Sequence, residues 1–336
     1  MKEMNKFGRL YSLEIFGESH SAAIGGIIDG CPSGLDFDED FISQNLLDRK
    51  GNSFATTPRK EDDKLIILSG VKNGKTTGTP ISFYILNKLY ESKDYNFKET
   101  PRPGHADFTQ LRKYGENVDI SGGGHSSGRL TVPLVVAGSV SLLLLKQLFP
   151  NIKIQAEIKE IGGQTDYNEL LIETAKRGDS LGGIVLCEVS NIPVGIGEPF
   201  FDSVESIISH LIFSIPGVKG IEFGAGFASA KMFGSEMNDE ILNQTGQTKT
   251  NNAGGIVGGI TNGNDIVFNI AFRPPASIKL PQKTINLNSN LKEDITIKGK
   301  HDVCYVLRTK TIIESTVAIA LVDLLMLDGK IPRKLE

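Results

Sequence analysis

Residues 131–149 read Thr-Val-Pro-Leu-Val-Val-Ala-Gly-Ser-Val-Ser-Leu-Leu-Leu-Leu-Lys-Gln-Leu-Phe, and nothing else in the chain limits its folding as much. A stretch this apolar must leave water, either for a bilayer or for a protein interior. Crossing the hydrocarbon core takes about 20 apolar residues. This run is barely that long and contains Pro133, Gly138, Ser139, Ser141 and Lys146. We therefore read a buried helix over 133–148. The chain can enclose it: with 336 residues, 39% of them hydrophobic, it can bury a sizeable core. No linker or low-complexity tract interrupts it, so residues 1–336 are treated as a single large domain. The opening residues, Met1 to Leu10, are polar and lack the apolar centre of a secretory signal. Cys31, Cys187 and Cys304 are odd in number and widely spaced, which suits a reducing compartment without structural disulfides. A cytoplasmic location is expected.

Short β-branched runs predict strands at 23–28, 65–68, 81–86, 152–158, 184–189 and 265–272. Helices are predicted over 38–47, 133–148, 202–213 and 312–325. The first opens with Asp38, Glu39 and Asp40, which suit the positive end of a helix dipole. Strands and helices interleave, so the fold class is α/β or α+β. No GxGxxG follows an N-terminal strand, which argues against a Rossmann dinucleotide domain. The 37 glycines exceed the usual share of about 7%. They gather at 25–26, 122–124, 162–163, 182–183, 224–226 and 254–259. Glycine permits positive φ and close backbone approach, so tight turns and a ligand lying against main chain are expected.

A net charge of −4 gives no general attraction to nucleic acid or to an anionic membrane. Of the five histidines, three sit beside glycine or proline: Gly17-Glu18-Ser19-His20, Arg102-Pro103-Gly104-His105-Ala106-Asp107 and Gly123-Gly124-His125-Ser126-Ser127. A fourth, His301, precedes Asp302, and His210 falls in a predicted helix as a structural residue. Imidazole titrates near pH ~6.5, which suits a proton donor. A lone loop histidine is more often a hydrogen-bonded structural residue, but four such loops in one chain weaken that reading. No HxH, HExxH or CxxC pairing appears, so no metal is expected. Cations cluster at Arg49-Lys50, Arg59-Lys60, Arg102, Arg112-Lys113 and Arg129, and both types bind phosphate and carboxylate. Arg59-Lys60, in a charged run, reads as a solvated face. Arg129 follows glycines and two serines at the start of the apolar helix, where an anion pocket is plausible. The residues alone describe a soluble α/β enzyme that protonates something anionic.

Longer motifs add to this. Gly17-Glu18-Ser19-His20, continuing through Gly25 to Ile27-Ile28-Asp29-Gly30-Cys31-Pro32, resembles the N-terminal signature of chorismate synthases. So do Leu68-Ser69-Gly70-Val71, Thr76-Thr77-Gly78-Thr79-Pro80, Arg102 to Asp107, Lys113-Tyr114-Gly115 and the loop from Gly122 to Thr131. Gly197-Glu198-Pro199, Phe201-Asp202, Ser214 to Gly220, Asn252 to Gly259 and Gly299-Lys300-His301-Asp302 continue the pattern, in order, across nearly the whole chain. The resemblance implies a β-α-β sandwich, a homotetramer and a 1,4-anti elimination. In that reaction phosphate leaves C3 and a proton leaves C6 of 5-enolpyruvylshikimate-3-phosphate, giving chorismate in the shikimate pathway of aromatic amino acid biosynthesis. Reduced FMN is implied as a cofactor that lends an electron and recovers it. NADPH enters only indirectly, as the flavin's reductant, with an external flavin reductase as one source.

By the same resemblance, His20 is similar to the residue that protonates the departing phosphate, with Ser19 beside it. His105 is similar to the histidine held at the flavin, and Asp302 to the aspartate that assists proton transfer. Arg49, Lys50 and Arg129 match substrate-anion positions. Flavin contacts are implied at His125, Ser126, Ser127, Gly217, Gly258, Arg273, Pro274, Pro275, Ala276, Ser277 and Lys300. The family's usual Arg-Ser-Ser-Ala-Arg-Glu-Thr reads His125-Ser126-Ser127-Gly128-Arg129-Leu130-Thr131 here. Phe54 or Ala55 replaces a second family arginine, and Lys300 and Arg273 stand where Arg and Lys are usual. If His125 must be protonated to hold an anion, activity should fall as pH rises past its pKa. Two alternatives are a flavin oxidoreductase that consumes NADPH itself and a non-catalytic relative that binds phosphorylated acids. The first lacks a nicotinamide signature here; the second is disfavoured because His20, His105 and Asp302 are all retained.

Overall fold

The computed structural model describes residues 5–51, 53–56, 63–87, 97–299 and 301–336. Arg59, Lys60 and Lys300 lie outside the described residues. The chain begins with β1 (Lys6–Phe7), β2 (Ser12–Gly17) and β3 (Ala23–Asp29), followed by α1 (Glu39–Asp48). Asp38 caps α1 by accepting from the Phe41 amide at 2.9 Å, so the acidic opening serves the helix end as expected. Next come β4 (Leu65–Ile67), the small hairpin β5 (Val71–Lys72) and β6 (Lys75–Thr76), and β7 (Ile81–Leu86). The first sheet is antiparallel with strand order β1-β2-β3-β7-β4. Two helices follow, α2 (Asp107–Tyr114) and α3 (Thr131–Leu148).

The second half opens with β8 (Lys153–Ile161), α4 (Asn168–Arg177), β9 (Gly183–Ser190), α5 (Val204–Ile212) and β10 (Val218–Phe223). After α6 (Gly234–Met237), a short β11 (Ile256–Val257) and β12 (Ile260–Thr261) hairpin leads to β13 (Ile266–Phe272). The second sheet is antiparallel in the order β10-β13-β9-β8. A last hairpin, β14 (Gln282–Ile285) with β15 (Lys292–Ile295), precedes α7 (Lys310–Leu327).

The helices lie between the two sheets, as the β-α-β sandwich requires. α3 packs on β3 and on α7, while α7 packs on β8 and β9 of the second sheet. Both helices are apolar on all sides, which is what burial on all sides demands. α3 is long and apolar enough to cross a membrane by composition, and 89% of that apolar window is buried inside the fold. The two helices cross closely because Gly138 has no side chain: a Cβ there would stand 2.3 Å from Ser315 Cβ and 2.4 Å from its backbone. Cys31, Cys187 and Cys304 are buried free thiols. Burial pushes the Cys31 thiol up to about 12, so it packs as a small apolar group.

Among the elements the pattern did not suggest are β2, β10, α2 and α4. Asp107, read as part of a loop, forms the first turn of α2.

Candidate active site

A cavity of about 680 Å³ opens where both central helices begin. Arg129 and Thr131 reach it from the start of α3; Arg308, Thr309 and Ile312 reach it from the start of α7. Helix N-termini carry partial positive charge and free amides, so two positive ends add to the arginines here.

The glycine loop 121–127 forms one wall. Gly122, Gly123 and Gly124 all have positive φ, at 58°, 95° and 54°, which keeps this turn outside regular helix. A Cβ on Gly122 would lie 2.7 Å from both His20 Nε2 and Ser19 Oγ. A Cβ on Gly123 would lie 3.7 Å from His105 Nε2. The two imidazoles therefore flank adjacent glycines of one loop. The Ser19 amide donates to Gly124 O at 3.0 Å, and Ser127 Oγ donates to Ser19 Oγ at 3.3 Å. These bonds tie the His20 loop to the glycine loop.

His105 is held by a buried ion pair. Arg102 grips Asp107 with Nε to Oδ2 and Nη2 to Oδ1, both 2.7 Å. His105 Nδ1 lies 2.7 Å from Asp107 Oδ1, and Arg102 Nη2 stands 3.1 Å from the same nitrogen. A guanidinium only donates, and a deprotonated nitrogen so close to a carboxylate would be repelled. The proton therefore sits on Nδ1 and points to Asp107, which leaves Nε2 as the working nitrogen. Burial alone would raise the Asp107 carboxyl, but the hydrogen bonds and charges of Arg102 and His105 outweigh it and bring it down to about 2.

The opposite wall comes from the second half. Arg308 Nη2 donates to Asp302 Oδ1. Tyr305 OH donates to the Arg273 carbonyl at 2.6 Å, and the Arg273 amide donates to Gly217 O at 2.9 Å. Burial pushes the Tyr305 phenol up to about 12, so it stays a neutral donor. Arg102 Nη1 reaches Ser277 Oγ at 3.4 Å and joins the two walls. Burial lowers the His301 imidazole, with Arg102 and Lys279 adding to the effect. Its Nε2 is buried without a hydrogen-bond partner among the described residues.

Behind the glycine loop, Asp63 collects three cations. Arg49 Nη2 reaches its Oδ2 at 3.2 Å and Lys50 Nζ at 3.7 Å, while Arg129 Nη1 bonds to Oδ1. Burial opposes ionisation of Asp63, yet Arg129, Arg49 and Lys50 hold its carboxyl below the usual range. The arginine side chains are only 1% and 4% exposed. Buried guanidinium groups at a cavity wall suit a bound polyanion.

Of the residues singled out from sequence, Ser19, His20, Arg49, His105, Ser126, Ser127, Arg129, Gly217, Arg273, Pro275, Ala276, Ser277 and Asp302 all line this one cavity. Lys50 stands behind the wall, on Asp63. Pro274 does not line the cavity. Gly258 sits at the β11–β12 turn, which is anchored elsewhere through Val204 N to Gly259 O at 3.0 Å. His125 faces a second cavity instead. Sequence reading overlooked Tyr305 and Arg308 as wall residues. Their spacing was a usable signal: positions three and six after Asp302 share one face of the helical turn that opens α7. Among the described residues no group of His, Cys, Asp and Glu could hold a metal ion.

Comparison with known proteins adds to this geometry. The sequence model of the chorismate synthase family matches residues 11–326. A chorismate synthase from Chitinophaga pinensis is 49% identical over 328 residues, covering 97% of this chain and 98% of that protein. One from the archaeon Methanobrevibacter smithii is 41% identical, covering 99% of each chain. A crystal structure of a chorismate synthase superposes with a TM-score of 0.74 at 25% identity, covering 96% of this chain and 93% of the other.

Proposed function

The chain belongs to the chorismate synthase family and is a carbon–oxygen lyase that eliminates phosphate from 5-enolpyruvylshikimate-3-phosphate to give chorismate, and we propose how its residues divide that chemistry. Arg49 and Arg129 hold anionic groups of the substrate, with the N-termini of α3 and α7 adding positive potential. His20 gives a proton to the phosphate oxygen as the C3–O bond breaks, and Ser19 orients that exchange. Asp302 assists the transfer of the proton lost from C6. The C6–H electron pair becomes a double bond to C1, the existing ring double bond shifts to C2–C3, and the C3–O pair leaves with phosphate. His105 keeps its Nδ1 proton on Asp107 and presents Nε2 to the cofactor.

Reduced FMN fits the wall that remains. Glycines 122 and 123 leave a cradle that side chains would fill, and buried His301 Nε2 still seeks a partner. Ser126, Ser127, Gly217 and the segment 273–277 line that side. When bound, reduced FMN supplies the electron that the elimination needs and takes it back. What supports these roles is the convergence of His20, His105 and Asp302, from three distant loops, on a cavity walled by arginine.

The test is an anaerobic assay with photoreduced FMN, following phosphate and chorismate together. His20→Ala and His105→Ala should each slow turnover by about 10²-fold or more; near-normal rates would remove them from the mechanism. NADPH belongs to a separate reductase in this reading, so the purified protein alone should not oxidise it. A homotetramer in the cytoplasm completes the proposal. Exposed Phe200, Phe201, Phe227 and Phe233 suit burial by further copies, and the buried free thiols suit a reducing compartment. Light scattering that found only monomers would remove the assembly.

A further inference from the structure

His125 precedes two cavity-lining serines, yet its ring turns the other way. It enters a separate cavity of about 430 Å³ beside Phe7, Leu13, Ile15 and Leu134. There Nδ1 lies 2.7 Å from the carbonyl oxygen of Gly17, and Nε2 lies 3.2 Å from Oδ1 of Asn5. A carbonyl only accepts, so Nδ1 carries a proton whether the ring is neutral or charged.

Gly17 is the last residue of β2 and has φ of 103°, so its peptide sets the direction in which the chain leaves the sheet. Ser19 and His20 follow at once. From the structure we infer that His125 is a positioning residue, which pins the Gly17 carbonyl and so aims the Ser19–His20 loop at the cavity. It works beside two other ties, the Ser19 amide to Gly124 O and Ser127 Oγ to Ser19 Oγ.

The inference rests on the reading of His20 as the phosphate's proton donor, and the test separates the two. His125→Ala should lower kcat between about tenfold and 10²-fold, with the substrate KM and the FMN dissociation constant within about threefold of the parent. His125→Asn places an amide nitrogen where Nδ1 stood and should restore most of that rate with the parent's pH profile; His125→Gln, which mimics Nε2, should not. In a His20→Ala background, His125→Ala should cost little more, because it acts through the group already removed. Losses that multiply in the double variant overturn the inference, as does a weakened FMN affinity with kcat intact. Should His125→Ala fail to fold, equal rates for the Asn and Gln variants would overturn it instead. A near-normal rate for His20→Ala alone fails the reading of the site, which is a different result.

Discussion

Gly122 shows how a single missing side chain sets the distance between catalytic groups. A methyl there would press on His20 Nε2 and Ser19 Oγ at 2.7 Å, from a residue whose φ is 58°. Gly122→Ala should therefore cost stability of about 1–2 kcal/mol for the left-handed backbone and a much larger share of activity. The expected signature is a turnover loss of about 10²-fold in protein that still melts cooperatively; full activity would mean the loop yields freely. Asp107 gives a second case. Its carboxyl is brought down to about 2, so its ionised form adds stability above the unfolded value near ~3.9. That contribution, about 2 kcal/mol, is lost as pH falls through this window. Asp107→Asn should flatten the acid limb of a stability-against-pH curve measured by urea unfolding. An unchanged limb would show the pair contributes nothing. His20, His105 and Asp302 were legible because their motifs are long and in order. The grip of Arg102 on Asp107, the Asp63 cluster and the outward turn of His125 were not, since each depends on which side chains meet across the fold.

Helices α3 and α7 carry the core, and their contact is the element most sensitive to volume. Gly138→Val would drive a branched side chain into Ser315 and its backbone, where a Cβ alone already stands 2.3 Å from Ser315 Cβ. Overpacking of this kind costs typically 1–3 kcal/mol, and backbone against backbone has little room to relax. The urea midpoint should fall with an unchanged slope; an unmoved midpoint would mean the helices can part without cost. α7 also anchors the first turn of the first sheet. Buried Asp323 accepts from the amides of Arg9, Leu10 and Tyr11 at 2.8–3.1 Å. Asp323→Ala would leave those donors unmatched, at about 1–3 kcal/mol for each that stays dry. Protection of these amides against hydrogen exchange should drop well before that of β3, and equal protection would count against the anchor. Strands such as Ile81–Leu86 and the apolar helices were legible because composition and period agree with burial. β2 and β10 were not. The Leu-Glu-Ile-Phe and Lys-Gly-Ile-Glu of these strands carry charge and glycine, and they become strands by pairing with β3 and β13. The amphipathic helices α2 and α4 are only 8 and 10 residues long, so their periodicity stands out little.

At the scale of the whole molecule, charge is distributed against its own average. The chain carries −4 overall, yet the cavity gathers Arg49, Arg102, Arg129, Arg273, Lys298 and Arg308 around Asp302, the one carboxylate among the described lining residues. Both central helices start there, so the architecture that buries α3 and α7 also aims their positive ends at the same space. A substrate with one phosphate and two carboxylates should enter by this field. Salt shortens its reach from about 10 Å at 0.1 M to about 3 Å at 1 M. Raising potassium chloride from about 0.05 to 0.5 M should therefore raise the substrate KM several-fold, while kcat, set by groups already in contact, moves less than about twofold. An ion that binds only the native state should stabilise it as RT ln(1 + [L]/Kd). Millimolar phosphate should raise the melting temperature beyond chloride of equal ionic strength, and Arg129→Ala should abolish most of that difference. If KM ignores salt and phosphate stabilises no better than chloride, the cations serve packing alone and the recruiting role assigned to the helix ends falls with them.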